Sequence, residues 1–409
     1  MNSSRFSVEA LARPSRLQPV LVAMIVVGLG EFLVRFFLPS GFNRPIYGDE
    51  VLFRPAWQLL TDSSVSIADR IDGYALLNTP LSIYVFGVAE RIGGGLWAPR
   101  LVVALCAAAV AMIVVRRRID TLTSLQAAAG LLVMPHFLRS ATVAYTDLVA
   151  ILFVVLGLLA HDKGRHWPAA IWFILAIASR QYSVAFPVAL VLWELWRPEP
   201  GVRFRQNPMG FVRRFALPYG VAAATLLGWF AVFGGLVSEA AQTKIGHVPE
   251  VQQSLFALDP QAGLFFLSAM GLFFVLPEIV ISPATSLVSR RWRTRHTVAV
   301  AGVIVTSALF PFDAASSMWG FNELSLTTTA ASAVFLALAI LGAARFTERS
   351  LSAIIVWTHA VMLMKSFPWS KYALPVVVAL WLLHNVPISA VRPQPEATAP
   401  RRRGSMVAT

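Results

Sequence analysis

WAPRLVVALCAAAVAMIVVRRR, residues 97–118, decides the fold class. From Trp97 to Val115 the run carries one charge, Arg100, and it stops at three consecutive arginines, Arg116, Arg117 and Arg118. An apolar run of that length is solvated better by lipid than by water. Inside lipid every backbone N–H and C=O must be satisfied within the protein, which leaves helices or a closed barrel. The run shows no short alternation of apolar and polar residues, so it reads as a helix. Similar runs recur at roughly 18–38, 121–138, 144–160, 167–180, 182–196, 214–235, 261–284, 296–311, 326–343, 351–364 and 372–390. Whole-chain composition agrees. The 409 residues are 57% hydrophobic and 13% charged, too little charge to clothe a soluble body of this size. The expectation is an all-α integral membrane protein of about 12 transmembrane helices, with one membrane domain over 18–390. A short N-terminal tail, 1–17, precedes it, and a Pro/Ala/Arg-rich tail, 391–409, expected to be disordered, follows.

The charges give this layout a direction. With both termini and alternate loops in the cytoplasm, 23 of the 34 lysines and arginines fall inside, with only 7 of the 21 acids. Inner segments then carry net +16 and outer loops net −2, the asymmetry of the positive-inside rule. The overall charge of +13 is therefore an orientation signal and calls for no nucleic-acid partner. Arg5, Arg13 and Arg16 before an apolar stretch imitate a signal peptide. The stretch is too long, contains Glu31 and Arg35, and lacks a small-x-small cleavage site, so it reads as a retained first span. The predicted location is the cell (inner) membrane, with the functional surface on the outer face. Cys106 is the sole cysteine, so the chain forms no internal disulfide and no cysteine metal site.

Two outer segments are large, 39–96 and 236–260. The first has apolar stretches near 51–60 and 80–92, too short to cross, which read as interfacial helices with their apolar faces among the headgroups. It also carries the sharpest local feature, Tyr47-Gly48-Asp49-Glu50. Two readings fit these adjacent acids: a helix N-terminus, where the dipole favours negative charge, or a carboxylate held at the membrane surface to take a proton from a hydroxyl. Further polar groups gather on the outer side. They are Asn78-Thr79-Pro80 leading to Tyr84, Arg100, Tyr145-Thr146-Asp147, Ser179-Arg180-Gln181-Tyr182, Lys365, and Trp369-Ser370-Lys371-Tyr372. Of four lysines, Lys244, Lys365 and Lys371 lie on this side, where the charge rule alone would not put them. Each fits a snorkelling anchor. Together they suggest a cationic pocket for an anionic headgroup, facing one or two carboxylates.

The order YGDE, NTPLSIY, APRL, AYTDLVA, ASRQYSVAFP and WSKYALP, over 47–195 and again at 369–375, resembles the membrane glycosyltransferases of the GT-C fold. More narrowly it is similar to the dolichyl-phosphate-glucose α-1,2-glucosyltransferase family; the middle, about 200–365, carries no motif of it. The resemblance implies a GT-C-type bundle and a polyprenyl-phosphate-linked sugar donor, glucose in that family. It also implies a glycan or lipid-linked acceptor, a non-cytoplasmic active site, and an acidic catalytic base in the first outer loop. Carried over by motif, the base is Asp49, with Glu50 beside it. Arg180 and Lys371, with Lys365 and Tyr372 nearby, become candidates for the donor phosphate. Tyr84, Arg100, Tyr145, Asp147 and Gln181 become candidates for the substrate pocket. A lipid phosphate is already a good leaving group, so one carboxylate suffices for an inverting transfer, unlike the two acids of a glycoside hydrolase. The outer acids form no dense ligand cluster, so no metal or other cofactor is required, although those acids offer oxygen ligands to a divalent cation.

Other polar residues carry simpler readings. Glu31 and Arg35, four apart, pair on one helix face. Glu278 after Pro277 reads as an inner anchor or a proton-relay group. His136 is a substrate-contact candidate, His359 and His384 are structural, and His161, His166 and His296 are solvated in inner loops. His247, in the 236–260 loop, and Asp313, Asn322 and Glu323, in another outer loop near Trp319, are acceptor-side candidates. The rival class is a transporter or flippase for lipid-linked sugars. Such proteins show repeats and polar groups at the midplane, whereas here no repeat is seen and polar residues crowd the outer surface.

Overall fold

The computed structural model describes residues 14–37, 44–118, 120–196, 207–244, 248, 250–254, 256–283, 286–287, 292–312 and 328–384. Among them the structure is helical, with no strand. The first helix is α1 (Pro14–Phe37). Two helices, α2 (Glu50–Thr61) and α3 (Leu81–Gly93), lie in the first large connecting segment. Then come α4 (Trp97–Arg116), α5 (Thr121–Leu132), α6 (Asp147–Asp162), α7 (His166–Ser179) and α8 (Ala185–Trp196). The second half holds α9 (Pro208–Phe233), α10 (Pro260–Ile281), α11 (Thr294–Leu309), α12 (Thr328–Arg345), α13 (Leu351–Leu363) and α14 (Leu374–Leu383). All twelve segments expected to span carry a helix. Four of these helices, α1, α4, α9 and α10, are long and apolar enough to cross a membrane.

Burial patterns explain the packing. In α4 the buried residues Arg100, Val103, Ala107, Val110 and Val114 recur every three or four positions, one stripe facing the bundle. By contrast, α14 is buried on every side from Leu374 to Leu382. At about 1.5 Å per residue its ten residues reach roughly half of a bilayer core. It is an internal helix, ringed by others. The π turns Val212–Ala216 in α9 and Gly271–Val275 in α10 each end two residues before a proline, Pro218 and Pro277. Proline lacks an N–H and its ring collides with the carbonyl four residues back; a wider turn there accommodates it.

Several expectations change. The third expected span, 121–138, breaks after Leu132, because Pro135 starts a separate short helix, Pro135–Ser140. The apolar stripe of α2 (Phe53, Ala56, Trp57, Leu60) is buried in the protein rather than laid among headgroups. There Trp57 meets Phe86 of α3 edge-on, and its Nε1 donates to Glu90 at 2.6 Å. Gly87 permits this approach, since a Cβ there would stand 2.4 Å from the Trp57 carbonyl oxygen. Of the histidines expected in solvent, His161 and His296 are buried and His166 is half-buried. His161 Nδ1 bonds the Tyr219 hydroxyl at 2.6 Å, and its Nε2 lies 3.4 Å from Glu194. His166 reaches the same hydroxyl at 3.1 Å, and His296 Nδ1 accepts from the Arg293 amide at 2.9 Å, closing the start of α11. Four helices thus lock together at the end of the bundle where α6 finishes. Glu278 is fully buried rather than at an interface, held by Arg345 through two 2.6 Å bonds and by His384 at 3.2 Å. Glu31 and Arg35 pair as expected, at 2.8 Å. His247, Asp313, Trp319, Asn322 and Glu323, the tail 391–409, residues 1–13 and the side chain of Lys244 lie outside the described residues.

Candidate functional site

The site begins at a forced turn. Gly48 has φ +59°, a left-handed conformation that costs other residues a clash of their Cβ. A Cβ there would also stand 2.7 Å from the Tyr145 hydroxyl. The turn delivers two adjacent acids in different directions.

Glu50 points inward. It is fully buried, as is Arg100 at the start of α4. Arg100 donates to both carboxylate oxygens, at 2.9 and 2.6 Å, and the amides of Ala144 and Tyr47 complete the shell at 2.8 and 3.0 Å. The Arg100 guanidinium also donates to the carbonyls of Arg44 and Pro45. Glu50, expected beside the catalytic base, and Arg100, expected in the substrate pocket, are therefore each other's partners and present no surface. They tie the start of α2, the start of α4 and the turn before α6 together.

Asp49 stays at the surface, its side chain 25% exposed. It is the N-cap of α2, the place the helix-terminus reading gave it, and its side chain makes no capping bond. Instead Lys371 Nζ donates to Asp49 Oδ2 at 2.8 Å, across 322 residues of chain. The ammonium sits 3.5 Å over the Trp369 ring and 5.7 Å from the centre of the Tyr145 ring. Burial draws the Lys371 ammonium below the ordinary lysine range, and the neighbouring Asp49 pulls it back up.

Beside this pair lies a second, deeper one. Arg180, following α7, donates to Asp147 Oδ2 at 2.9 Å, and the Tyr182 hydroxyl donates to Oδ1 at 2.7 Å. Arg180 also donates to Asn78 Oδ1. Both members of the pair are buried, and Arg180 Nε has no partner. The Tyr182 ring meets Tyr372 edge-on, 5.5 Å between centres. Arg180, Gln181, Tyr372 and Lys365 share the wall of one cavity of about 250 Å³, whose other walls are largely apolar, with Leu226, Phe230 and Met362 among them. Gln181 Nε2 donates to the Leu77 carbonyl, while its Oε1 is buried without a partner.

The structure therefore brings together Asp49, Lys371, Tyr145, Asp147, Arg180, Gln181 and Tyr372. Lys365 lines the cavity but donates to the carbonyls of Val251 and Ser254, at 3.3 and 2.6 Å. Tyr84 stands 48% exposed on α3. His136 joins the rim by its 2.9 Å bond to the Ser370 hydroxyl. Two residues escaped the sequence reading, Arg139 and Arg44. The Arg139 guanidinium lies 5.5 Å from the Tyr47 ring centre and that of Arg44 5.9 Å, so two guanidiniums stand by the ring next to the Gly48 turn. The signal was available, since in the layout expected from sequence Arg139, like the lysines, falls on the side where the charge rule expects few cations. Among the described residues no group of three or more His, Cys, Asp or Glu could hold a metal ion. No protein-family model, no curated protein and no solved structure matches this chain.

Proposed function

We propose that the chain is a GT-C-type membrane glycosyltransferase whose helices form a bundle of about 12 spans. It moves a hexose, glucose being the sugar of the family it resembles, from a polyprenyl-phosphate donor to a glycan or lipid-linked acceptor. Its site faces the outer side of the cell membrane, with both termini in the cytoplasm. The observation that carries the reading is the meeting of Asp49 with Lys371. The acid after the first helix and the lysine before the last are the motif residues assigned to base and phosphate, and they lie 2.8 Å apart. Arg180, buried with an unpartnered Nε on a mostly apolar cavity, supports a lipid-borne anion as ligand.

The chemistry follows from these groups. Asp49 accepts the proton of the acceptor hydroxyl, whose oxygen forms the new bond to the anomeric carbon. The bond from that carbon to the phosphate oxygen breaks on the opposite face, and polyprenyl phosphate leaves with the electron pair. Lys371 stabilises the charge that grows on it. No metal takes part in this account. Asp49→Asn keeps size and removes the base, so transfer from a purified polyprenyl-phosphate hexose should fall by at least about a hundredfold with folding intact. Undiminished transfer by the folded variant would remove Asp49 from the mechanism.

A further inference from the structure

Lys371 has Asp49 as its carboxylate partner and must serve a second anion during the reaction proposed above, on which this inference rests. The two demands fall in sequence. Before transfer the site holds the Asp49 carboxylate, the Lys371 ammonium and a phosphodiester of charge −1. Afterwards Asp49 is a neutral acid and the leaving phosphate monoester carries a second negative charge. Net charge is unchanged; it has moved from the carboxylate to the phosphate.

We propose that Lys371 exchanges partners, leaving Asp49 for the departing phosphate as the proton arrives on Asp49, so that one cation couples base protonation to leaving-group departure. The geometry fits a cation that swings rather than a fixed clamp. Lys371 is held to Asp49 by a single 2.8 Å bond, unlike Arg100 or Arg345, each doubly bonded to its acid. An ammonium on a flexible stem makes such an exchange more readily than a guanidinium fixed in a fork. The ammonium that binds Asp49 already lies 3.5 Å over the Trp369 ring, whose π face stabilises a cation between partners. Arg180 cannot take the same role, because Asp147 and Asn78 already hold it.

The exchange predicts a preference that a merely structural lysine would not create. Full-length protein in detergent is titrated with geranylgeranyl phosphate, a monoester, and with its methyl ester, a diester. Wild type should bind the monoester more tightly. Lys371→Met should weaken the monoester by about tenfold, the scale of one charge-assisted hydrogen bond, and leave the diester nearly unchanged. Asp49→Asn, which frees Lys371 from its carboxylate, should tighten the monoester several-fold. Equal weakening of both ligands by Lys371→Met, or no tightening by Asp49→Asn, would overturn the exchange while leaving the transferase reading in place. Failure of wild type to bind either ligand would overturn both.

Discussion

The adjacent acids Asp49 and Glu50 make opposite predictions, and Glu50→Gln separates them. Gln preserves the shape of the side chain and removes its charge. In the native protein the Glu50 carboxylate takes two bonds from Arg100, one from the Ala144 amide and one from the Tyr47 amide, all in a site without solvent access. Removing the charge leaves the Arg100 guanidinium buried without its counter-ion, a loss of about 3–5 kcal/mol. A packed apolar pair recovers much of this, because ion pair and desolvation penalty vanish together; Glu50→Leu with Arg100→Met should therefore unfold later than Glu50→Gln alone. Asp49→Asn breaks a pair whose side chains are 25% and 12% exposed, so after allowance for solvent screening its stability cost should stay within about 1 kcal/mol. The assay is denaturant unfolding in detergent, with transfer activity measured in parallel. Glu50→Gln should lose stability first and activity only in proportion to unfolding, and Asp49→Asn the reverse. A Glu50→Gln protein as stable as wild type but inactive would refute the reasoning, since Glu50 would then act on substrate.

The remaining predictions concern the same corner. Gly48→Ala meets a positive φ and a contact at 2.7 Å with the Tyr145 hydroxyl. It should cost about 1–2 kcal/mol from the backbone alone and depress transfer. Tyr145→Phe should relieve the contact but not the backbone part, so a double variant no better than Gly48→Ala would place the whole effect in φ. Raising pH through the lowered Lys371 range removes its charge, and monoester binding should weaken where an exposed lysine would still bind. In that window the unfolded chain holds more protons than the folded one, so this residue's contribution to stability grows with pH while binding falls. Binding that stays flat up to the ordinary lysine range would contradict the burial argument.

The helices were legible because lipid leaves the backbone few choices. A long apolar run must close its hydrogen bonds along itself, so local pattern and local structure coincide, as they do at Trp97–Arg116. The twelve segments, the Glu31–Arg35 pair and the turn at Gly48 follow from residues within a few positions of each other. Depth within the bundle was not legible. The last described helix is as apolar as a span yet is ringed by protein, and His161 and His166, in a polar connection by sequence, pack buried and half-buried against Tyr219. Nor could the chain alone tell which of two neighbouring acids turns inward. That depends on Arg100 standing within reach of one carboxylate and Lys371 of the other, 50 and 322 residues away. The sequence by itself determined the helices and the residues that carry charge. Tertiary structure decided which charges cancel in the interior and which remain at the surface, because pairing depends on distances that only packing sets.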